Sequence, residues 1–403
     1  MHYVLECVEC GSEFDDDSLV RCPECGGLLE VALRYDEIEV SRSTFEGRRL
    51  GVWAFRELLP VNTDDPVTMS EGGTGLHPCP RLGEELGVRE LFVKNEGENP
   101  TGSFKDRGMT VGVTKAVELG AEVVACASTG NTSASLAAYA ARAGLTCAVL
   151  LPAGKVALGK LAQALFHGAR VIPVNGNFDD ALDVVKKLAD EGIVYILNSV
   201  NPFRLSGQRT IAYEICLQLD WEVPDAVVVP VGNAGNISAI WQGFLDLYRL
   251  GIIDELPRMY GVQAEGARPI VEAIRRGKED IEPDPEPETV ATAIRIGNPV
   301  NAIKALRAIR CSGGWAVEVS DEEILSAQRE LATREGIFVE PASAASIAGL
   351  RKFVEEGEID ADERVVCVTT GHGLKDPETV MEVCELPEPV EPDPETIQRL
   401  IAE

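Results

Sequence analysis

Aromatic residues make up only 5% of this 403-residue chain, histidines number four, and no run approaches the roughly 18 consecutive apolar residues that a membrane helix needs. The histidines, His2, His77, His167 and His372, show no H-E-x-x-H spacing, which excludes the zincin class of metal hydrolases. His167, just before Gly168, reads as a helix-end residue. The N-terminal MHYVLECVECGSEF places Glu6 and Glu9 where a secretory signal would be apolar, so the cytoplasm is the expected location and disulfides are not expected. Basic residues are scarce as well: 37 against 66 acidic ones leave a net charge of −29, a field that repels nucleic acid and anionic membranes. Neither is expected as a partner. Arginine outnumbers lysine and acid is spread along the whole chain, which suits a halophilic protein, although an ordinary acidic surface accounts for the same numbers.

Forty-five per cent hydrophobic content in a chain of this length fills the cores of two or three domains. Eleven cysteines fall into two populations. Cys126, Cys147 and Cys367 sit in apolar, strand-like runs, where a thiol behaves as a small hydrophobe. Cys7, Cys10, Cys22 and Cys25 form two C-x2-C pairs beside turn formers, Gly11-Ser12 and Gly26-Gly27. Paired thiolates at this spacing reach one tetrahedral ion from two tight turns, so structural zinc is expected, with unmetallated or redox-active thiols as the alternative.

Further along, apolar runs alternate with helical patterns. Strands are expected at 91–94, 123–127, 146–151, 170–174, 193–198, 226–231, 259–264 and 364–370. Helices are expected from 107, at 131–142, 155–168, 178–191 and 206–219, and from 236. Such alternation implies mostly parallel sheets covered on both faces, an α/β doubly wound architecture. Residues 279–288 (EDIEPDPEPE) and 385–396 are rich in proline and acid and read as solvated loops.

Three motifs follow strand ends. In Asn99-Pro100-Thr101-Gly102-Ser103-Phe104-Lys105-Asp106-Arg107 a lysine stands at the start of a helical run, where desolvation lowers an amine's pKa toward nucleophilicity. Val231-Gly232-Asn233-Ala234-Gly235-Asn236 joins a strand to a helix, and converging backbone N–H groups there suit a phosphate. It is neither a Walker loop nor a dinucleotide fingerprint. Ser128-Thr129-Gly130-Asn131 turns hydroxyls and an amide toward the crevice at the carboxyl edge of the sheet.

Together, GSFKDR at 102–107, STGNTSASLAAYAARAG at 128–144, NSVNPFRLSGQRT at 198–210, GNAGN at 232–236 and TTGHG at 369–373 resemble the pyridoxal-phosphate enzymes of the tryptophan synthase β-subunit type, fold type II. Within them the 198–210 segment resembles the threonine synthase family, and the cysteine pairs look like those of its archaeal-type members. The resemblance implies two parallel-sheet domains with a small zinc-ribbon-like module: 1–48 for the module, 49–110 with 206–385 for a large domain, 111–205 for a small mobile domain, and 386–403 for an acidic tail. It also implies a homodimer.

By the same resemblance Lys105 carries pyridoxal 5′-phosphate as a Schiff base and moves the substrate's protons. Asn131 stands beside the cofactor's 3′-oxygen, Gly232, Asn233, Ala234, Gly235 and Asn236 cup its phosphate, and Thr370 meets its pyridine nitrogen. A neutral hydroxyl there makes the ring a weaker electron sink than an aspartate would. Ser128, Thr129, Thr132, Asn198, Ser199 and Arg204, with Thr74 less directly, look like substrate ligands. The reaction implied is conversion of O-phosphohomoserine and water to threonine and phosphate, a carbon–oxygen lyase reaction on a phosphate ester. A threonine or serine dehydratase, an O-phosphoserine-using cysteine or cysteate synthase, and a non-catalytic zinc-ribbon binding protein are the competing expectations.

Overall fold

The computed structural model describes residues 2–153, 158–383 and 388–402. Strand Ala226–Pro230 shows how the core is built, because all its residues are buried and successive ones face opposite sides. Val227 and Val229 join one apolar cluster with helices Pro202–Gln218 and Gly235–Arg249, while Ala226 and Val228 join another with helix Pro341–Glu355. A strand covered on both faces has no polar side to show water, hence the unbroken AVVVP.

Six strands form this larger sheet, in the order Ala316–Val319, Arg258–Ala264, Ala226–Pro230, Arg364–Thr369, Glu90–Asn95 and Leu76–Pro78. Every neighbouring pair is parallel except the last. The smaller sheet is wholly parallel, in the order Arg170–Val174, Thr146–Pro152, Val123–Ala127 and Tyr195–Ile196. Val124 and Cys126 face one cluster and Ala125 and Ala127 the other, so this sheet too is covered on both sides. The doubly wound α/β class read from the sequence is therefore the observed one, in two sheets.

Residues 3–33 add a three-stranded antiparallel sheet of Glu13–Phe14, Tyr3–Cys7 and Leu29–Leu33. It is tied to the helices behind the larger sheet. Lys115 Nζ donates to Asp17 at 2.9 Å and Tyr3 at 3.0 Å, Lys304 Nζ donates to the Leu29 carbonyl at 3.3 Å, and Arg209 donates to the Val31 carbonyl.

Several elements differ from expectation. The strand expected at 193–198 pairs only at Tyr195–Ile196, because the Asn198 side chain takes over the ladder, accepting from Ala127 N at 3.0 Å and donating to its carbonyl at 2.9 Å. Helix Pro202–Gln218 starts earlier than 206, since Asn201 caps it through the Arg204 N–H and Pro202 occupies the first turn. The helix at the lysine motif starts at Lys105 itself and runs to Glu118. Of the helix expected at 155–168, Leu158–Phe166 is present and residues 155–157 lie outside the described residues. The tail is not loop throughout: Pro394–Ala402 is helical, with Asp393 accepting from the Thr396 N–H at 2.9 Å. Residues 385–387 of that expected loop lie outside the described residues. Between the strands expected at 259–264 and 364–370 only the loop at 279–288 was predicted, and helices Pro269–Arg275, Ala302–Cys311, Asp321–Glu335 and Pro341–Glu355 and strand Ala316–Val319 lie there.

Candidate active site

Loops leaving the carboxyl ends of four parallel strands supply the site, as the geometry of open α/β sheets dictates. After strand Glu90–Asn95 the chain turns through Asn99, whose Oδ1 accepts from Gly72 N at 2.9 Å. It then lies across the end of strand Arg364–Thr369: His372 N donates to the Gly102 carbonyl at 2.9 Å, and Phe104 N to the Thr370 carbonyl at 3.1 Å. Lys105 is thereby set next to Thr370 at the first turn of its helix.

The Lys105 ammonium is held well below its ordinary pKa, first by burial and then by the charge of Arg204, against the opposing pull of Glu340. Its Nζ lies 3.9 Å from the centre of the Phe104 ring. Asp106 locks the loop beneath it, accepting from Thr101 N, Thr101 Oγ1 and Ser135 Oγ at 2.7, 2.6 and 2.5 Å. Burial pushes that carboxyl up to about 6 despite these donors.

Arg204 reaches the same region because helices Lys105–Glu118 and Pro202–Gln218 cross without side chains between them. A Cβ on Gly207 would fall 1.9 Å from the Arg107 carbonyl oxygen, and one on Gly108 would fall 2.7 Å from that of Arg204. Arg204 is 1% exposed, Nη1 lies 3.4 Å from Ser199 Oγ, and Nε and Nη2 have no protein partner. Burial lowers its pKa to about 10.

The 232–236 turn lies beneath. Gly232 passes within contact of Ala293 and Ile294, where a Cβ would sit 3.0 Å from backbone atoms of each, and Ala234 adopts φ +63° to start helix Gly235–Arg249. No side chain caps that helix, and both polar atoms of the buried Asn236 amide lack partners. An uncapped helix start with an orphaned amide suits one phosphate, and a guanidinium with two unpartnered nitrogens suits another, so the residues present fit a phosphorylated cofactor and a phosphorylated substrate. Asn301 braces the turn, its N–H donating to the Asn233 carbonyl at 3.2 Å and its Nδ2 to that of Ser199 at 3.1 Å.

Opposite, Thr370 Oγ1 lies 2.9 Å from Ser343 Oγ, which also accepts from the N–H groups of Thr370 and Gly371 at 2.8 Å. Asn131 begins helix Asn131–Ala143, and its Nδ2 donates to both Glu340 oxygens at 2.9 and 3.2 Å. A groove of about 360 Å³ opens beside Asn131, lined by Thr101, Gly102, Gly130, Asn131, Gln163 and His372 among others, while Lys105, Arg204, Thr370 and the 232–236 turn are not among its lining residues. The ring of His372 meets Phe338 edge-on at 5.9 Å, and its Nδ1 accepts from Leu374 N at 3.1 Å. Ser128, Thr129 and Thr132 are half-buried at the end of strand Val123–Ala127.

Two expected substrate ligands are otherwise engaged. Thr74 is 2% exposed, donates to Glu96 at 2.7 Å and accepts from Arg107 at 3.1 Å, inside a buried ionic network with Lys94 and Glu214. The structure does not bring it to the groove. Asn198 spends its amide on the Ala127 backbone, as described above. Sequence reasoning missed Glu340, Ser343 and Asn301, whose partners are remote in sequence.

Fold, motifs and comparisons converge. Residues 67–371 match the family described as pyridoxal-phosphate dependent enzyme. Threonine synthase of Methanocaldococcus jannaschii is 63% identical over 400 residues, covering 98% of this chain and 99% of that protein. The chain belongs to the threonine synthase family. Threonine synthase of Methanosarcina acetivorans is 59% identical across 99% of this chain and 98% of its own length, and that of Mycobacterium bovis 52% across 85% and 92%. Tomato threonine deaminase isoform 2, at 22% identity and TM-score 0.64 over 78% of this chain and 88% of its own, shares the fold.

The N-terminal cysteines form a second cluster in this threonine synthase family member. Cys7 and Cys22 each accept a turn-closing N–H through their carbonyls, from Gly11 and Gly26 at 2.9 Å, and both glycines adopt positive φ. Sulfur separations are 3.5 Å for Cys7–Cys25 and Cys10–Cys25 and 3.6 Å for Cys10–Cys22, with all four within 4.8 Å of one another. A tetrahedron with zinc–sulfur bonds of about 2.3 Å has edges of about 3.8 Å. The donor set fits a closed structural site.

Proposed function

We propose that this chain converts O-phosphohomoserine and water to threonine and phosphate with pyridoxal phosphate on Lys105. The observations that carry the assignment of roles are that Lys105 lies in the field of Arg204, whose Nε and Nη2 have no protein partner, and that the helix start at 235 is uncapped with an orphaned Asn236 amide. When bound, the cofactor supplies an electron sink for the substrate's α-carbon.

The chain's own residues do the rest. Lys105, with its ammonium pKa lowered, is suited to take the proton from the substrate's α-carbon and to return protons along the carbon chain. The Gly232–Asn236 turn holds the cofactor's phosphate. Arg204, with Ser199, holds the substrate's phosphate through a planar fork of donors that matches it. The half-buried Ser128, Thr129 and Thr132 hold its carboxylate, and Asn198 positions that loop through Ala127. Thr370, fixed by Ser343, meets the ring nitrogen. In the balance, the γ-carbon loses its C–O bond to phosphate and gains a proton, while the β-carbon loses a proton and gains hydroxyl from water.

The cysteine cluster is proposed to hold one structural zinc ion. The domain division set out above is proposed as a hinged pair, with residues 111–205 closing the groove on substrate and restricting water until hydration. A homodimer in the cytoplasm is proposed from the resemblance. The acidic surface supports work in concentrated salt; activity that rises with potassium chloride concentration is the expected result, and a flat response removes that reading.

Purified protein assayed side by side with O-phosphohomoserine, O-phosphoserine and threonine tests the function. Phosphate and threonine should appear from the first only, without 2-oxobutyrate. Lys105→Ala should lose turnover and the visible absorbance of bound cofactor together, and a coloured, active variant would refute the assignment.

A further inference from the structure

One buried carboxylate at the centre of the site has no role in the account so far. Glu340 is 5% exposed, precedes helix Pro341–Glu355, and donates its backbone N–H to the Gly371 carbonyl at 3.0 Å. A Cβ on Gly371 would fall 2.5 Å from Glu340 Oε1, so the glycine after Thr370 makes room for this carboxylate. Both its oxygens accept from Asn131 Nδ2, at 2.9 and 3.2 Å.

A carboxylate can only accept hydrogen bonds, so it decides which end of the Asn131 amide faces it. With one N–H committed to Glu340, the second N–H of the same nitrogen is free to donate, and the amide is polarised as a donor. An amide turned the other way would present its carbonyl to an anionic ring oxygen and repel it. Glu340 is also the acidic group whose field acts on Lys105 against Arg204. The other charges facing this corner are Lys375, from the turn after Thr370, and Asp106, and His372 pairs through its backbone with Val339.

We propose that Glu340 is a positioning residue: it turns the Asn131 NH2 toward the cofactor's ring oxygen, and its charge holds a proton on the nitrogen that joins Lys105 to the cofactor. This rests on the reading that Lys105 carries pyridoxal phosphate. It explains why an acidic side chain is buried against a glycine between the motif at 128–144 and the one at 369–373.

The test is a spectrophotometric pH titration of the holoenzyme without substrate. In Glu340→Gln the pH at which the visible band of bound cofactor fades should fall by about one unit, a tenfold loss of proton affinity. Glu340→Asp, which keeps the charge, should stay nearer the parent. A residue that only supported the fold would lower the unfolding midpoint and leave this titration in place; an unchanged midpoint in folded, cofactor-loaded Glu340→Gln overturns the proposal. If that variant fails to take up cofactor, Asn131→Ala decides: it keeps the Glu340 charge but loses the N–H donor that favours the bare ring oxygen, so its midpoint should rise, and an unmoved or lower one overturns the proposal equally. A parent protein with no visible band would instead defeat the assignment of Lys105.

Discussion

Replacing Gly207 with alanine should disable the protein through one methyl group. Its Cβ would sit 1.9 Å from the Arg107 carbonyl oxygen, 2.7 Å from the carbonyl carbon and 3.0 Å from Val111 Cγ2. Ordinary contact begins near 3.4 Å, so the helices Lys105–Glu118 and Pro202–Gln218 must part by about 1.5 Å. The obstacle cannot swing aside, because it is backbone, and the Arg107 side chain is pinned by Glu96 and Glu214 at 2.5 and 2.7 Å. Overpacking of this kind costs about 3 kcal/mol. The separation also draws Lys105, two residues before Arg107, away from Arg204, three residues before Gly207. Misplacement by about 1 Å typically costs about a hundredfold in rate. Denaturant unfolding of the cofactor-free protein should report the first effect, and kcat/KM per bound cofactor the second. If both stay within twofold of the parent, the close crossing is not what sets the site.

Two further outcomes follow from clusters away from the groove. Protein purified without chelator should contain one zinc per chain, and Cys10→Ser should lose it and loosen the N-terminal sheet, read as protease cutting before residue 48; a chain without metal refutes the site. Glu214 is held down to about 2 from an ordinary 4.5, with the charges of Arg107 and Lys94 outweighing burial. Its contribution is therefore complete above about pH 4.5 and drains away as pH falls toward 2, and on the order of 3 kcal/mol of stability should go with it. Glu214→Gln should flatten that part of the acid-unfolding curve, and an unaltered slope would show that the network does not govern it.

Much of this candidate site's placement was legible because its motifs sit at strand ends, where the fold puts sites. Lys105, Asn131, Gly232–Asn236 and Thr370 all follow apolar runs, and a parallel strand buried on both faces cannot hide its ends in a polar pattern. What was not legible depends on partners far along the chain. Thr74, in a glycine-rich turn, reads as a substrate contact until Glu96 and Arg107, 22 and 33 residues away, are seen to claim its hydroxyl. Asn198 acts by imitating a strand pair with Ala127, 71 residues earlier, and Glu340 meets Asn131 across 209 residues. The helix Pro394–Ala402 was concealed for a different reason: proline marks a break inside a helix but is welcome in its first turn. Asn201-Pro202 carried the same signal at the start of the Arg204 helix, four residues before the start predicted from apolar spacing.

The distribution of buried charge explains how a chain with a net −29 can hold two phosphates. Lys94, Arg107, Lys115, Arg209 and Lys304 are buried, and each has a carboxylate within 3.4 Å. Arg204 is the remaining buried cation that meets no such partner among the described residues. An uncompensated guanidinium out of water opposes folding, and only an anion arriving from solution relieves it. Arg204→Met should therefore act in opposite directions on stability and function. The cofactor-free protein should gain about 1–3 kcal/mol in denaturant unfolding, while KM for the phosphorylated substrate rises steeply and inorganic phosphate stops inhibiting. Had Arg204 been an ordinary structural side chain, its removal would destabilise the protein as breaking the Arg107 network does. A loss of stability in Arg204→Met, with phosphate inhibition retained, would mean that the cation is part of the scaffold and that the substrate's phosphate is held elsewhere.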